Sequence, residues 1–146
     1  MIIGFTGTKK GMTNIQKDRV LGILAYHRPP EVHHGDCVGA DAQFHDIVRK
    51  FDQGIKIVVH PPEFLMYRAF CKGDVILPVK PYLKRDDDIV GACGFLIATP
   101  KEGFEVLRSG TWATIRRARD KRKHVTIIYP DGTYGMFADT SEVCTG

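Results

Sequence analysis

Arg108-Ser109-Gly110-Thr111-Trp112-Ala113-Thr114-Ile115 stands between two apolar runs, residues 94–99 and 124–129, that read as buried strands. A strand that ends in a small, hydroxyl-rich turn and opens into a helix offers unpaired backbone N–H groups to an anion. It also offers the positive end of a dipole. The same chemistry recurs earlier, at Thr6-Gly7-Thr8 and at Gly35-Asp36-Cys37-Val38-Gly39-Ala40-Asp41. Three such turns in one chain predict a shared phosphate- or nucleotide-binding cleft.

Working outward, apolar runs alternate with helical patterns. Residues 2–6 read as a first strand. Thr13 can cap a helix over 14–27, which Arg28-Pro29-Pro30 stops. A strand at 31–35 leads to a helix at 38–51, whose Ala40, Phe44, Ile47, Val48 and Phe51 form one apolar stripe. A third strand follows at 55–59. Residues 60–82 break the rhythm: 64–70 can form a short helix and 75–79 can extend, and a stretch this long suits a lid or binding loop. Helices at 82–93 and 110–121 then flank the strand at 94–99, before the last strand at 124–129. The tail from Pro130 can add a short edge strand.

Strands of this apolar kind, separated by helices, imply an α/β fold: a Rossmann-like three-layer sandwich around an open parallel sheet of about five strands. Right-handed crossovers make 3-2-1-4-5 the simplest order for such a sheet. The winding then reverses between the first and fourth strands, and the loops after them flank a crevice. All three turns fall at carboxyl ends of strands.

The chain of 146 residues, 43% apolar and 26% charged, fits one domain over 1–146. No segment is long and apolar enough for a membrane span, and the N-terminus lacks a basic leader. Four cysteines without a C-x-x-C pair suit reduced thiols, so a cytoplasmic location and no membrane partner are expected. A net charge of +4 is compatible with anionic ligands without indicating nucleic acid.

Each candidate residue has a plainer reading beside the functional one. Ser109, Gly110 and Thr111 can hold a phosphate or simply cap a helix. Trp112, the one tryptophan, can stack on a base or fill the core. Gly7, Thr8 and Lys9 (or its neighbour Lys10) form the first turn, and Thr99 ends the strand that opens the crevice. No full P-loop pattern is present. Gly35, Gly39 and Ala40 allow close backbone approach, with Asp36 in the same turn. Asp41 can hold ribose hydroxyls or only complement a helix dipole. Arg85 is a candidate fork on phosphate, with Asp86 beside it. Cys37 and His34 make a conceivable nucleophile pair, although buried inert cysteines are commoner.

No metal and no cofactor are expected. His33 and His34 should face opposite sides of a strand, and acids such as Asp86-Asp87-Asp88 in a first helical turn need no cation. The basic cluster of Arg116, Arg117, Arg119, Lys121, Arg122 and Lys123 reads as a solvated helix face more than as a nucleic-acid site.

These segments, in this order, resemble the SLOG superfamily, which includes LOG-type phosphoribohydrolases and DNA-processing protein A. The resemblance is greatest to its small stand-alone bacterial and phage members. It rests on Gly4-Phe5-Thr6-Gly7-Thr8, His34-Gly35-Asp36-Cys37-Val38-Gly39-Ala40-Asp41, Lys84-Arg85-Asp86-Asp87-Asp88-Ile89-Val90, Phe95-Leu96-Ile97-Ala98-Thr99-Pro100 and Ser109-Gly110-Thr111-Trp112-Ala113-Thr114-Ile115. It implies a nucleotide or nucleotide-derived small molecule held over the carboxyl ends of the strands, and it is compatible with a homo-oligomer.

The chain departs from that pattern twice. LOG-type hydrolases follow their Gly-Thr with a carboxylate pair, where this chain has Trp112-Ala113-Thr114. Small members also commonly carry Arg-Asn in place of Arg85-Asp86. A sensor or sequestering module is therefore the first expectation. An N-glycosidase acting on nucleoside monophosphates, with Glu102, Glu105 or Asp41 as the acid, is the second. Single-stranded nucleic-acid binding is the third.

Overall fold

Alternating buried strands and helices lay down one sheet with helices on both faces. The computed structural model describes residues 1–137. In chain order these form β1 (Ile2–Gly7), α1 (Asn14–His27), β2 (Glu31–His34), α2 (Ala40–Phe51), β3 (Lys56–Val59) and β4 (Val75–Ile76). There follow α3 (Tyr82–Ala92), β5 (Phe95–Thr99), α4 (Gly110–Asp120), β6 (His124–Ile128) and β7 (Tyr134–Phe137).

The sheet order is β4-β3-β2-β1-β5-β6-β7. Its five central strands are parallel and run in the order the sequence predicts. Two short edge strands extend it: β4 lies parallel to β3, and β7 returns antiparallel on β6. The second follows a tight turn in which Gly132 adopts φ 87°, and Tyr129 accepts the Gly132 N–H and donates to Thr133 O. Cys144 lies outside the described residues.

Alternation along the strands splits the core in two. Ile3, Phe5 and Ile97 face α1 and α2, where Phe5 stacks on Phe44 at 4.2 Å between ring centroids. Leu96, Ala98 and Val125 face α3 and α4, where Trp112 and Ile115 are buried. Thr13 caps α1 in a reciprocal box with Gln16, and Arg28 ends that helix at φ 44°. Helix α2 starts at Ala40, two residues later than the apolar pattern alone suggests, because Gly39 turns the chain at φ 88° first. The expected helix at 64–70 shrinks to a single 3-10 turn, Leu65–Tyr67.

That segment is nonetheless firmly tied. Asp36 is fully buried and accepts the Cys71 N–H (2.8 Å) and Arg68 Nε–H (3.2 Å), while its carbonyl accepts the Ala69 N–H. Val38 N–H bonds Tyr67 O, and Cys37 bridges Arg68. Residues 64–71 are thereby fastened beside the carboxyl ends of the strands.

Candidate functional site

The three turns meet through their backbones. Thr8 N–H donates to Thr99 O at 3.1 Å, and Ala40 N–H donates to Thr8 O at 3.0 Å. A Cβ on Gly39 would lie 2.3 Å from Lys9 O, and one on Gly7 would meet Thr99 Oγ1 and Ala40 Cβ. Glycine at these two positions lets the first turn sit directly on the start of α2.

Above this junction lies a cleft of about 350 Å³. Among the expected site residues, Gly7, Thr8, Lys9, Asp41, Arg85, Asp86, Ser109, Gly110 and Thr111 line it. Gly35, Asp36, Gly39, Ala40, Thr99 and Trp112 do not: they build its walls from behind. Asp36 is the clamp just described, and Thr99 is buried beneath Gly7. Trp112 is 2% exposed and packs in the core, its Nε1–H donating to Glu102 Oε1 at 3.2 Å, so it offers no face to a base.

The helix N-termini differ in what they leave open. At α1, Thr13 and Gln16 satisfy the cap, and Gln16 Nε2 donates to Pro100 O and Ile128 O. That end is closed to an anion. At α2, the first turn carries Asp41, whose Oδ2 accepts the Cys37 N–H at 3.1 Å. At α4, Ser109 Oγ accepts the Trp112 N–H and Ser109 O accepts the Ala113 N–H. The N–H groups of Gly110 and Thr111 are then unpaired among the described residues, and both residues line the cleft. Around them stand the exposed cations Lys9, Lys10, Lys101 and Arg108.

Arg85 plays a different part from the expected phosphate fork. It is 7% exposed: Nη1 donates to Gly35 O at 3.1 Å, Nη2 lies 3.9 Å from Cys37 Sγ, and Nε lies 3.2 Å from Asp86 Oδ1. A Cβ on Gly35 would fall on Nη1, so that glycine makes room for the guanidinium. Arg85 braces the floor from below.

The floor is acidic. Burial pushes Asp41 up to about 7 and Asp86 up to about 6, against the pull of Arg85 on both. Burial, with Asp41 nearby, pushes the Cys37 thiol up to about 11. His34 is turned to the opposite side, its Nδ1 accepting the Asp36 N–H and its Nε2 lying 3.0 Å from His45 Nδ1. Cys37 and His34 therefore form no nucleophile pair. Tyr82 and the cations Lys101 and Arg108 also line the cleft. Sequence reasoning passed over all three, because nothing in their spacing distinguishes them from ordinary surface residues.

His34, His45 and Cys71 have ligand atoms within 4.8 Å of one another. Backbone donation to His34 Nδ1 places that ring's proton on Nε2, where it meets His45, so the facing nitrogen has no lone pair for a metal. His33 faces the other side of β2, between Glu31 at 2.6 Å and His60 at 2.8 Å. Four cations of the basic helix face share two carboxylates, and a fifth meets a backbone carbonyl. Arg116 and Arg119 meet Glu105, Arg117 and Lys121 meet Asp87, and Lys123 Nζ donates to Cys93 O. Glu105 lies outside the cleft, while Glu102 lines it.

No family model and no curated protein matches the sequence. Two solved structures share the fold. One is described as the molybdenum cofactor binding protein from the phototrophic bacterium Rippkaea orientalis, at 17% identity and TM-score 0.67, covering 88% of this chain and 76% of that one. The other is TM1055, a structural genomics target, at 17% identity and TM-score 0.60, covering 85% of this chain and 71% of that one. No described helix is long and apolar enough to cross a membrane. At this identity the likeness establishes a Rossmann-like α/β architecture for the chain.

Proposed function

We propose that the cleft binds the phosphate of a nucleotide or nucleotide-derived small molecule, and that the protein senses or sequesters that ligand. One observation carries the reading: the open N-terminus of α4, with the Gly110 and Thr111 N–H groups unpaired, borders a cleft rimmed by Lys9, Lys10, Lys101 and Arg108. Unpaired N–H groups, a positive dipole end and exposed cations together favour a phosphate. A fold neighbour described as a cofactor-binding protein agrees with a small-molecule role. A panel of nucleoside phosphates and ADP-ribose-like compounds, screened by thermal shift and then by calorimetry, tests the proposal. Saturable binding of at least one supports it, and no binding by any refutes it.

A second reading, an N-glycosidase acting on nucleoside monophosphates, is favoured by the two floor acids. Acids held near about 7 and about 6 suit proton transfer near neutral pH. Release of free base during incubation separates turnover from binding. Nucleic-acid binding has less support, because the cations on α4 are mostly paired with Asp87 and Glu105.

A further inference from the structure

The protein leaves two carboxylate oxygens in the cleft floor without a donor, Asp41 Oδ1 and Asp86 Oδ2. Their residues are only 5% and 4% exposed, and both line the cleft. Of the partner oxygens, Asp41 Oδ2 accepts the Cys37 N–H, and Asp86 Oδ1 lies 3.2 Å from Arg85 Nε in an ion pair that lacks hydrogen-bond geometry. Arg85 cannot satisfy the free pair, because its terminal nitrogens point to Gly35 O and Cys37 Sγ. A buried acceptor with no donor is costly, and native structures keep few of them.

The cleft is also polarised. Cations stand at its rim and acids on its floor, so an anionic ligand group is repelled from the floor while a neutral donor is drawn to it. In a nucleotide, the neutral donors nearest the phosphate are the sugar hydroxyls. We propose that Asp41 and Asp86 accept hydrogen bonds from the vicinal hydroxyls of a ribose whose 5′-phosphate lies at the N-terminus of α4. The cleft then selects ribonucleotides over 2′-deoxyribonucleotides. This inference rests on the phosphate-binding reading above and adds the sugar to it.

Calorimetric titration with AMP, GMP, CMP and UMP, each against its 2′-deoxy counterpart, tests it. At pH 8, where both carboxyls are ionised, the best-bound ribonucleotide should exceed its deoxy partner by roughly ten- to a hundred-fold, the worth of a hydrogen bond to a charged acceptor. In the variant carrying Asp41→Asn and Asp86→Asn, checked for a cooperative melt, the preference should fall below about threefold, because neutral amides accept more weakly. Equal binding of ribo and deoxy forms overturns the sugar assignment and leaves the phosphate reading standing. So does an undiminished preference in the folded double variant. Should the double variant fail to fold, the wild-type comparison decides alone. No binding by any of the eight overturns the sugar assignment, while the phosphate reading is decided by the wider panel above.

Discussion

Replacing Gly39 with alanine should be the most damaging single-methyl change at the strand ends. Gly39 sits at φ 88° and ψ −125°, backbone that L side chains rarely adopt, for which the strain is about 1–3 kcal/mol. The added Cβ would also lie 2.3 Å from Lys9 O and 2.5 Å from Lys9 C, so main chain and not a side-chain tip must yield. Such overpacking costs about 1–3 kcal/mol more. The total, on the order of 4 kcal/mol, is a large part of a typical domain's 5–15 kcal/mol. Gly22→Ala is the matched control: it lies inside α1 with nothing within 4 Å of the new methyl, and should stabilise by roughly 0.5–1 kcal/mol. Urea denaturation of both variants reads the difference directly. A Gly39→Ala loss below about 1 kcal/mol would refute the claim that the first turn rests on α2 through this glycine.

Three further predictions concern the floor and its supports. Asp41 is carried from an ordinary 3.8 to about 7, so the folded state holds that proton more tightly than the unfolded chain. Its contribution is full below pH 3.8 and is lost as pH rises through about 7, on the order of 4 kcal/mol at about 1.4 kcal/mol per pH unit. Asp41→Asn should therefore gain on the wild type steadily between pH 4 and 8, and parallel stability curves would contradict this. Asp36→Ala should cost about 2–4 kcal/mol by stripping acceptors from Arg68 and Cys71, and should speed hydrogen exchange at the Cys71 amide. An unchanged exchange rate there would show that residues 64–71 are held by something else. Cys37, with its thiol near about 11, should be alkylated far more slowly than free cysteine at pH 8. Rapid labelling in peptide mass spectra would restore it as a nucleophile.

Local signals made much of the fold legible. The boundaries of α1 follow from Thr13 and the Arg28-Pro29-Pro30 stop, and the stripe from Ala40 to Phe51 identifies the buried face of α2. The central strand order follows from handedness and connection length. The 60–82 segment was opaque because its structure depends on Asp36, more than thirty residues from the Arg68 and Cys71 groups it binds. The site was legible in outline and misread in roles. Hydroxyl- and glycine-rich turns show which loops gather, but Ser109 closing one end of α4 while Gly110 and Thr111 stay open is a matter of cap geometry. Arg85 illustrates the limit best. Its chemistry suits a phosphate fork, and only tertiary packing under Gly35 turns it into a brace between Cys37 and Asp86. Trp112 is similar, since only burial decides between stacking platform and core.

The central claim is that a phosphate sits on the open end of α4. Amide chemical shifts of the isotopically labelled protein, followed during titration with the tightest-binding nucleoside monophosphate, test it most directly. The account predicts the largest, saturable movements at the Gly110 and Thr111 amides, with smaller ones at Thr8 and Lys9. Shifts centred instead on the apolar hollow formed by Met1, Phe95, His124 and Phe137, or none at Gly110 and Thr111 at saturation, would contradict it.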